Sequence, residues 1–292
     1  MSFAILTDTS ANLPTPLLEK HGITVVPFSY SYDGAEHICL DTETFDGAAY
    51  YGAMRKGTVV TTSLVNPGRF IAAARPLLAA GKDILFVGMS SGISGSYASA
   101  EIAAAQLREQ FPQRNIRLVD TLAASLGEGL FVLRALECRR TGMSLDETAD
   151  LLLSKRQSLY QVVMVGDLMH LRRGGRVSGA KAVLGTLLGV RPILKGNANG
   201  ELVVCGKTRG QSAALATLAR KYNELVKNPE EQTVCIAHTG CPEQAERLAE
   251  AIRQSHPPKE LMIVCYEPVT GAHLGPGSVA LFFEGSDGVR EF

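Results

Sequence analysis

Phe3-Ala4-Ile5-Leu6-Thr7-Asp8-Thr9-Ser10 is an apolar run that stops abruptly in hydroxyls and a carboxylate. The same break recurs through the first half of the chain. Val59-Val60 ends at Thr61-Thr62-Ser63, Ile84-Leu85-Phe86-Val87 runs into Ser90-Ser91-Gly92-Ile93-Ser94-Gly95-Ser96, and Ile116-Arg117-Leu118-Val119 meets Asp120-Thr121. In an open α/β sheet, ligands bind in the crevice beyond the carboxyl ends of the strands. Read as parallel strands, these runs bring their polar ends to one rim, which would be rich in neutral donors and poor in fixed cations. Ser, Thr and Asp after a strand are also the usual N-caps of the next helix. Each cluster alone reads as a cap; four in register read as a site.

Working outward, residues 1–160 alternate strand-like and helix-like segments, the pattern of a largely parallel sheet. Residues 14–21 read as a short helix and 23–28 as a strand. Asp33-Gly34 signals the turn of a β-hairpin over 28–40. Asn66-Pro67 starts a helix, a cap followed by proline at the first helical position, that runs through Phe70, Ala74, Leu77 and Leu78. The Ala-rich helix after Ser94 is expected to carry Tyr97, Ile102 and Leu107 on one face, and Ser144-Leu145-Asp146-Glu147 is a capping box.

The second half has another texture. Val162-Val163-Met164-Val165 reads as a strand, Leu171-Arg172-Arg173-Gly174-Gly175-Arg176 as a basic loop, and 178–188 as a helix. Asn199-Gly200 joins strands 191–195 and 202–205 as a hairpin. A helix after Gly210, a strand at 234–237, a helix at 242–252 and strands at 261–266 and 278–283 follow. At 292 residues the length favours two domains. The expected fold is α/β in two domains: an N-terminal, largely parallel sheet domain over 1–160 and a C-terminal, mixed or antiparallel domain over 161–292.

Composition narrows the class. Hydrophobic residues make up 46% of the chain, ample for a core. The N-terminal sequence lacks a charged segment followed by a cleavable apolar one, and no apolar stretch approaches the roughly 18 residues of a membrane span. The six cysteines (Cys39, Cys138, Cys205, Cys235, Cys241, Cys265) are scattered without a C-x-x-C pair, so buried free thiols and a cytoplasmic location are expected. With 29 basic and 29 acidic residues the chain does not read as a nucleic-acid binder. Between Leu171 and Arg209, however, eight basic residues face only Glu201, an imbalance that suggests an anionic ligand or acidic partner.

Gly88-Met89-Ser90-Ser91-Gly92 fits G-x-S-x-G after a strand, the turn that exposes a nucleophilic serine in α/β-hydrolases. Asp120 or Asp167 followed by His273 would keep the hydrolase order, making a serine esterase on Ser90 the alternative reading. No HGGG-type oxyanion loop precedes it. Phosphate-loop signatures are absent from the sequence, and the six histidines are too dispersed for a metal site. His238 follows a strand and reads as a packed or capping histidine. His273 lies in Thr270-Gly271-Ala272-His273-Leu274-Gly275-Pro276-Gly277, read as a tight turn that presents backbone to a ligand.

Asp8-Thr9-Ser10, Thr62-Ser63, residues 90–97, residues 171–176 and His273-Leu274-Gly275-Pro276-Gly277, in this order, resemble the DegV family of bacterial fatty-acid-binding proteins. The resemblance spans almost the whole chain. It implies two α/β domains holding a long-chain fatty acid between them, with no cofactor and no catalytic residue. It also implies a partner, a kinase subunit resembling dihydroxyacetone kinase that phosphorylates the bound carboxylate; the balanced charge speaks against nucleic acid as a partner, and transient membrane-surface contact stays open. Carried over by residue, Thr62 and Ser94 donate hydroxyls to the carboxylate, and the Gly95 N–H and His273 complete the head-group site. Arg176 lines or braces it, and Arg209, in Lys207-Thr208-Arg209-Gly210, contacts the kinase subunit. Ser96 stands where threonine is usual, and Leu64-Val65 where Gln-Pro is common.

Overall fold

The computed structural model describes residues 3–166, 170, 173–178 and 189–292. Contacts divide the chain into two units, Met1–Phe45 with Thr61–Arg156, and Asp46–Val60 with Gln157–Phe292. The sequence division at residue 160 leaves 46–60 in the first domain, whereas its contacts group it with the second.

In chain order, β1 (Ala4–Asp8) is buried along its whole length. α1 (Thr15–Lys20) leads to β2 (Thr24–Val26), which pairs in parallel with β1. β3 (Ser29–Tyr32) and β4 (Ala35–Ile38) form the hairpin the sequence predicts. Its turn places Asp33 and Gly34 at φ 50° and 79°, and Asp-Gly is among the pairs that tolerate two positive values in succession. α2 (Gly47–Arg55) is capped by Asp46, whose carboxylate accepts the Ala49 N–H. After β5 (Thr61–Ser63), α3 (Pro67–Ala79) starts at Asn66, whose side chain accepts the Arg69 N–H. β6 (Ile84–Gly88), α4 (Ser96–Gln110), β7 (Ile116–Asp120), α5 (Leu126–Arg140) and α6 (Leu145–Lys155) follow. The capping box of α6 is present in both directions between Ser144 and Glu147; losing such a cap typically costs about 1 kcal/mol.

The first unit is built on a parallel sheet of order β2-β1-β6-β7. Because helices cover parallel strands, β1 and β6 are buried at every position, and β1 as far as Leu6 and β6 throughout read as unbroken apolar runs. Phe70 of α3 packs edge-to-face on Phe86 of β6 with centroids 5.0 Å apart. Two expectations change here. Val59-Val60 is no strand, and β5 pairs antiparallel with β3 in a separate sheet of order β4-β3-β5. Thr62 therefore faces Tyr30 across a small antiparallel ladder and does not end a parallel strand. In α4, Ile102 is 52% exposed; the helix buries Ser96, Ser99, Ala100, Ala103, Ala104 and Leu107. Positions five apart turn through more than a quarter circle, so 97, 102 and 107 share no stripe, while small residues three and four apart do.

In the second unit, β8 (Leu159–Met164), β9 (Val177–Ser178), β10 (Val190–Gly196) and β11 (Leu202–Arg209) are followed by α7 (Gln211–Leu225). β12 (Thr233–His238), α8 (Pro242–Ser255), β13 (Glu260–Cys265), α9 (Pro268–Leu274) and β14 (Val279–Glu284) complete it. Its seven-stranded sheet has the order β13-β12-β14-β8-β10-β11-β9. β12 and β13 are parallel, β14 runs antiparallel to β12 and β8, and β10 and β11 form the predicted hairpin. The sheet is thus mixed. Tyr160, Ile193, Leu218, Tyr222, Ile236 and Phe283 lie in its core cluster, all fully buried, and each large apolar side chain so buried contributes roughly 1.5–3 kcal/mol. Ser178, expected to open a helix, closes β9 instead; 179–188, the rest of that helix, lies outside the described residues, as do Asp167, Leu171, Arg172 and Lys181 of the sequence reading.

Candidate functional site

Most of the polar residues at the rim of the first unit are committed to the protein itself. Asp8 caps the 3₁₀ turn after β1, its carboxylate accepting the Ser10 N–H at 2.9 Å and the Met89 N–H at 3.3 Å. The Thr7 hydroxyl donates to Glu128 Oε1 at 2.9 Å and the Ser10 hydroxyl to Oε2 at 2.6 Å. Glu128, in the first turn of α5, is wholly buried and bonds to Asp8 as well. Burial, and then the Asp8 charge, push its carboxyl well above the usual range, so the pair holds a proton between two carboxyl groups. Asp120 accepts the Ser91 hydroxyl at 2.6 Å, the Ser91 N–H at 3.2 Å and the Leu122 N–H at 3.0 Å. The Thr121 hydroxyl donates to the Gly88 carbonyl. For the clusters after β1 and β7, the helix- and turn-capping reading holds.

The serine-esterase alternative fails on the same accounting. Ser90 is fully buried, and its oxygen accepts the Gly92 N–H at 3.1 Å in a tight turn. A nucleophile elbow needs that hydroxyl exposed. Asp120, offered as its triad partner, bonds to Ser91.

The start of α4 differs from the clusters after β1 and β7. Ser94 and Thr62 are half-buried and Gly95 is exposed. Gly95 is the N-cap of α4, which has no side-chain cap bond from it, and the Gly95 N–H makes no hydrogen bond to a described residue. A helix start with unpaired N–H groups favours an anion. Ser96 ties the segment down: its oxygen accepts the Val65 N–H at 3.1 Å and meets the Ser94 oxygen at 2.9 Å. The loop that follows Thr62 is thereby fastened to Ser94.

In the second unit, His273 sits in the last turn of α9, not in the open loop the glycines suggest; Gly275 and Gly277, at φ 72° and 82°, make the turn after it. Glu267 caps α9, accepting the Val269 and Thr270 N–H groups at 2.6 Å. Gly174, which with Arg173 is helical where the sequence reads as a basic loop, lies against the imidazole, and a Cβ there would stand 2.3 Å from His273 Nδ1. Arg176 is exposed and donates to the Gly174 carbonyl. Burial, and secondarily the Arg176 charge, lower the His273 pKa to about 4, so the ring is a neutral donor at pH 7. The linkage sign follows: stability gained by keeping it neutral is present above pH 6.5 and is lost as pH falls toward 4. The His273 ring signals in an NMR titration should stay constant from pH 8 to 5, and Arg176→Ala should move the midpoint upward. A midpoint near 6.5 in the unsubstituted protein would contradict this geometry.

Sequence reasoning missed the support for α9. The Tyr50 hydroxyl of α2 donates to the Pro268 carbonyl at 2.9 Å and that of Tyr51 to the Tyr266 carbonyl at 2.8 Å. Gly271 leaves room for Tyr51, since a Cβ there would lie 1.8 Å from the hydroxyl oxygen. Asp46 before Gly47-Ala48-Ala49-Tyr50-Tyr51 was the available signal, a cap ahead of an apolar stripe. His238 proves to be a capping histidine, its Nδ1 accepting the Cys241 N–H at 3.3 Å. Of the six free cysteines, Cys138, Cys235 and Cys241 are buried and the others half-buried.

Arg209 is exposed at the end of β11, next to exposed Lys207 by one residue's remove. Elsewhere in the basic segment, Arg191 is anchored on the Gly166 carbonyl and Lys195 on the Arg290 carbonyl at 2.7 Å. Among the described residues no group of three or more His, Cys, Asp or Glu could hold a metal, and no helix is long and apolar enough to cross a membrane.

A parallel α/β unit followed by a mixed α/β unit is an architecture shared with solved proteins. Over 98% of this chain, with 30% identity and a TM-score of 0.86, it is similar to all of a fatty-acid-binding DegV family protein from Thermus thermophilus. A fatty-acid-binding DegV family protein from Streptococcus agalactiae matches at 29% identity and a TM-score of 0.85, covering 98% of this chain and 99% of that one. A DegV domain-containing protein of Clostridium perfringens is 37% identical over 97% of both chains. The family model described as "Uncharacterised protein, DegV family" matches residues 2–286. The chain belongs to the DegV family.

Proposed function

We propose that this protein binds a long-chain fatty acid and, in the bacterial cytoplasm, presents its carboxylate to a separate kinase subunit for conversion to an acyl phosphate. The observation that carries the binding reading is the contrast at the rim of the first unit. Asp8, Ser10, Ser90 and Asp120 are engaged internally, while the Gly95 N–H makes no hydrogen bond to a described residue at the start of a 15-residue helix, beside half-buried Ser94. Solved relatives at 29% and 30% identity are themselves fatty-acid-binding proteins, which supports the ligand class. Thr62, Ser94 and Gly95 then donate to the carboxylate, His273 adds a neutral donor, and Arg176 braces the histidine.

The energetics suit such a ligand. Burying an acyl chain contributes roughly 0.8 kcal/mol per CH₂, so a tail of about 15 methylenes supplies most of the affinity. The head group needs donors because an unpaired buried carboxylate is very costly. Neutral donors satisfy it and leave an oxygen nucleophilic, so that it attacks the γ-phosphorus of ATP held by the kinase subunit, forming the acyl phosphate as the bond to the β,γ-bridging oxygen breaks and ADP leaves. On this reading the chain contributes presentation, not catalysis. The test is extraction of lipid from purified protein with mass spectrometry, and uptake of labelled fatty acid by the delipidated protein. Protein that yields no fatty acid and takes none up ends the proposal.

Arg209 separates the two halves of the reading. Rim charges mostly set association rate and salt dependence, so Arg209→Ala should leave fatty-acid affinity within about twofold. Acyl-phosphate formation with the kinase subunit should fall severalfold, and raised salt should weaken the unsubstituted pair. Lost lipid affinity with normal phosphorylation of the remaining loaded protein would place Arg209 in the lipid site.

A further inference from the structure

Ser96 is 1% exposed, and its hydroxyl has two neighbours. The Val65 amide, itself in a fully buried residue, can only donate, so it occupies a lone pair of Ser96 Oγ at 3.1 Å. The one proton of Ser96 then has a single acceptor within reach, Ser94 Oγ at 2.9 Å. If Ser94 donated along that line instead, the Ser96 proton would be buried without a partner, the costly arrangement for a hydroxyl. The Ser96 N–H also points at Ser94 Oγ, at 3.2 Å. Ser94 Oγ therefore accepts twice, both of its lone pairs are occupied, and its own proton is the one group it has left for a ligand.

We propose that Ser96 is a positioning residue that fixes Ser94 as a donor toward the ligand, so that the site selects a head group that accepts, an ionised carboxylate, over one that must also donate. The inference rests on the fatty-acid reading of the site and adds to it the direction of the hydrogen bond. Donation along Val65 N–H, Ser96 O–H and Ser94 O–H runs in one sense, and each bond polarises the next. A fatty alcohol, whose hydroxyl proton needs an acceptor, finds none on Ser94. With Ser96 truncated, the Ser94 hydroxyl can turn and accept, and the distinction fades.

The experiment is a double-mutant cycle on the delipidated full chain, with palmitate and hexadecanol as probes and a thermal melt for each variant. Ser96→Ala should lower palmitate affinity about five- to tenfold and leave hexadecanol within about twofold, so the acid-to-alcohol ratio falls; Ser96→Thr should restore it. In a Ser94→Ala background, Ser96→Ala should cost no further palmitate affinity, because the group it orients is already gone. Where Ser96→Ala does not fold, Ser96→Cys gives the same comparison, its thiol still accepting from Val65 but donating weakly. Additive losses in the cycle, or an unchanged acid-to-alcohol ratio in a folded Ser96 variant, overturn the inference while leaving fatty-acid binding intact. Unsubstituted protein that binds no palmitate removes both.

Discussion

Thr62→Ala and Ser94→Ala should each weaken fatty-acid binding by about ten- to a hundredfold, and the two together by a hundredfold or more. Hydrogen bonds to a charged group are worth roughly 1.5–3 kcal/mol each, which sets that range. The fold should persist. Thr62 is on a short ladder of a three-stranded sheet at a half-buried position, and Ser94 lies outside any helix or strand. Neither truncation empties core volume, so Thr62→Ala should melt near the parent, while Ser94→Ala, which takes the acceptor from the buried Ser96 hydroxyl, should melt somewhat lower without unfolding. On the proposed reading the tail supplies most of the affinity, so the variants should keep the chain-length preference of the parent and differ only in its strength. Isothermal titration or displacement of a fluorescent fatty acid measures all three proteins on one scale. Parental affinity in the double variant would remove Thr62 and Ser94 from the site, whatever else the protein binds.

The second large effect is expected at the Asp8–Glu128 pair. Glu128→Ala removes the acceptor of two fully buried hydroxyls, Thr7 and Ser10, and leaves Asp8 without the group that shares its proton. Each buried donor left unmade costs about 1–3 kcal/mol, so a loss of about 3 kcal/mol in denaturant unfolding is expected. Glu128→Gln should be far milder, since the amide is a neutral stand-in for the protonated acid. It should also change the pH dependence. The Glu128 carboxyl is raised in the folded protein, so the stability it contributes is complete below its unfolded value near 4.3. That contribution is lost as pH rises through the folded value. In the parent, stability should decline on the alkaline side of that window, and in Glu128→Gln the decline should shrink. Identical pH slopes in the two proteins would mean that Glu128 is ionised in the fold.

Legibility in the sequence followed the range of the interaction. Asp33-Gly34, Asn66-Pro67 and the Ser144–Glu147 box name their own partners within a few residues, and each forms the turn or cap it predicts. Buried parallel strands announce themselves as unbroken apolar runs because both faces are covered, and mixed pairing in the second half was readable from Asn199-Gly200. The order of separated motifs sufficed for the family. These are properties of short segments, set by backbone geometry and by which face meets the core.

Only the tertiary structure decided which polar groups are consumed. Ser10 and Thr7 find Glu128 more than a hundred positions away, Ser91 finds Asp120, and Tyr51 finds the Tyr266 carbonyl. A hydroxyl that caps, one that is buried in a turn and one that is half-exposed at a helix start are the same letter in a sequence. The antiparallel seat of Thr62, the association of residues 46–60 with the second unit and the grip of Ser96 on both Val65 and Ser94 have the same origin. A hydrogen bond needs its partner within about 3 Å and well aligned, and across a hundred residues that alignment is set by strand order and register, which no local pattern encodes.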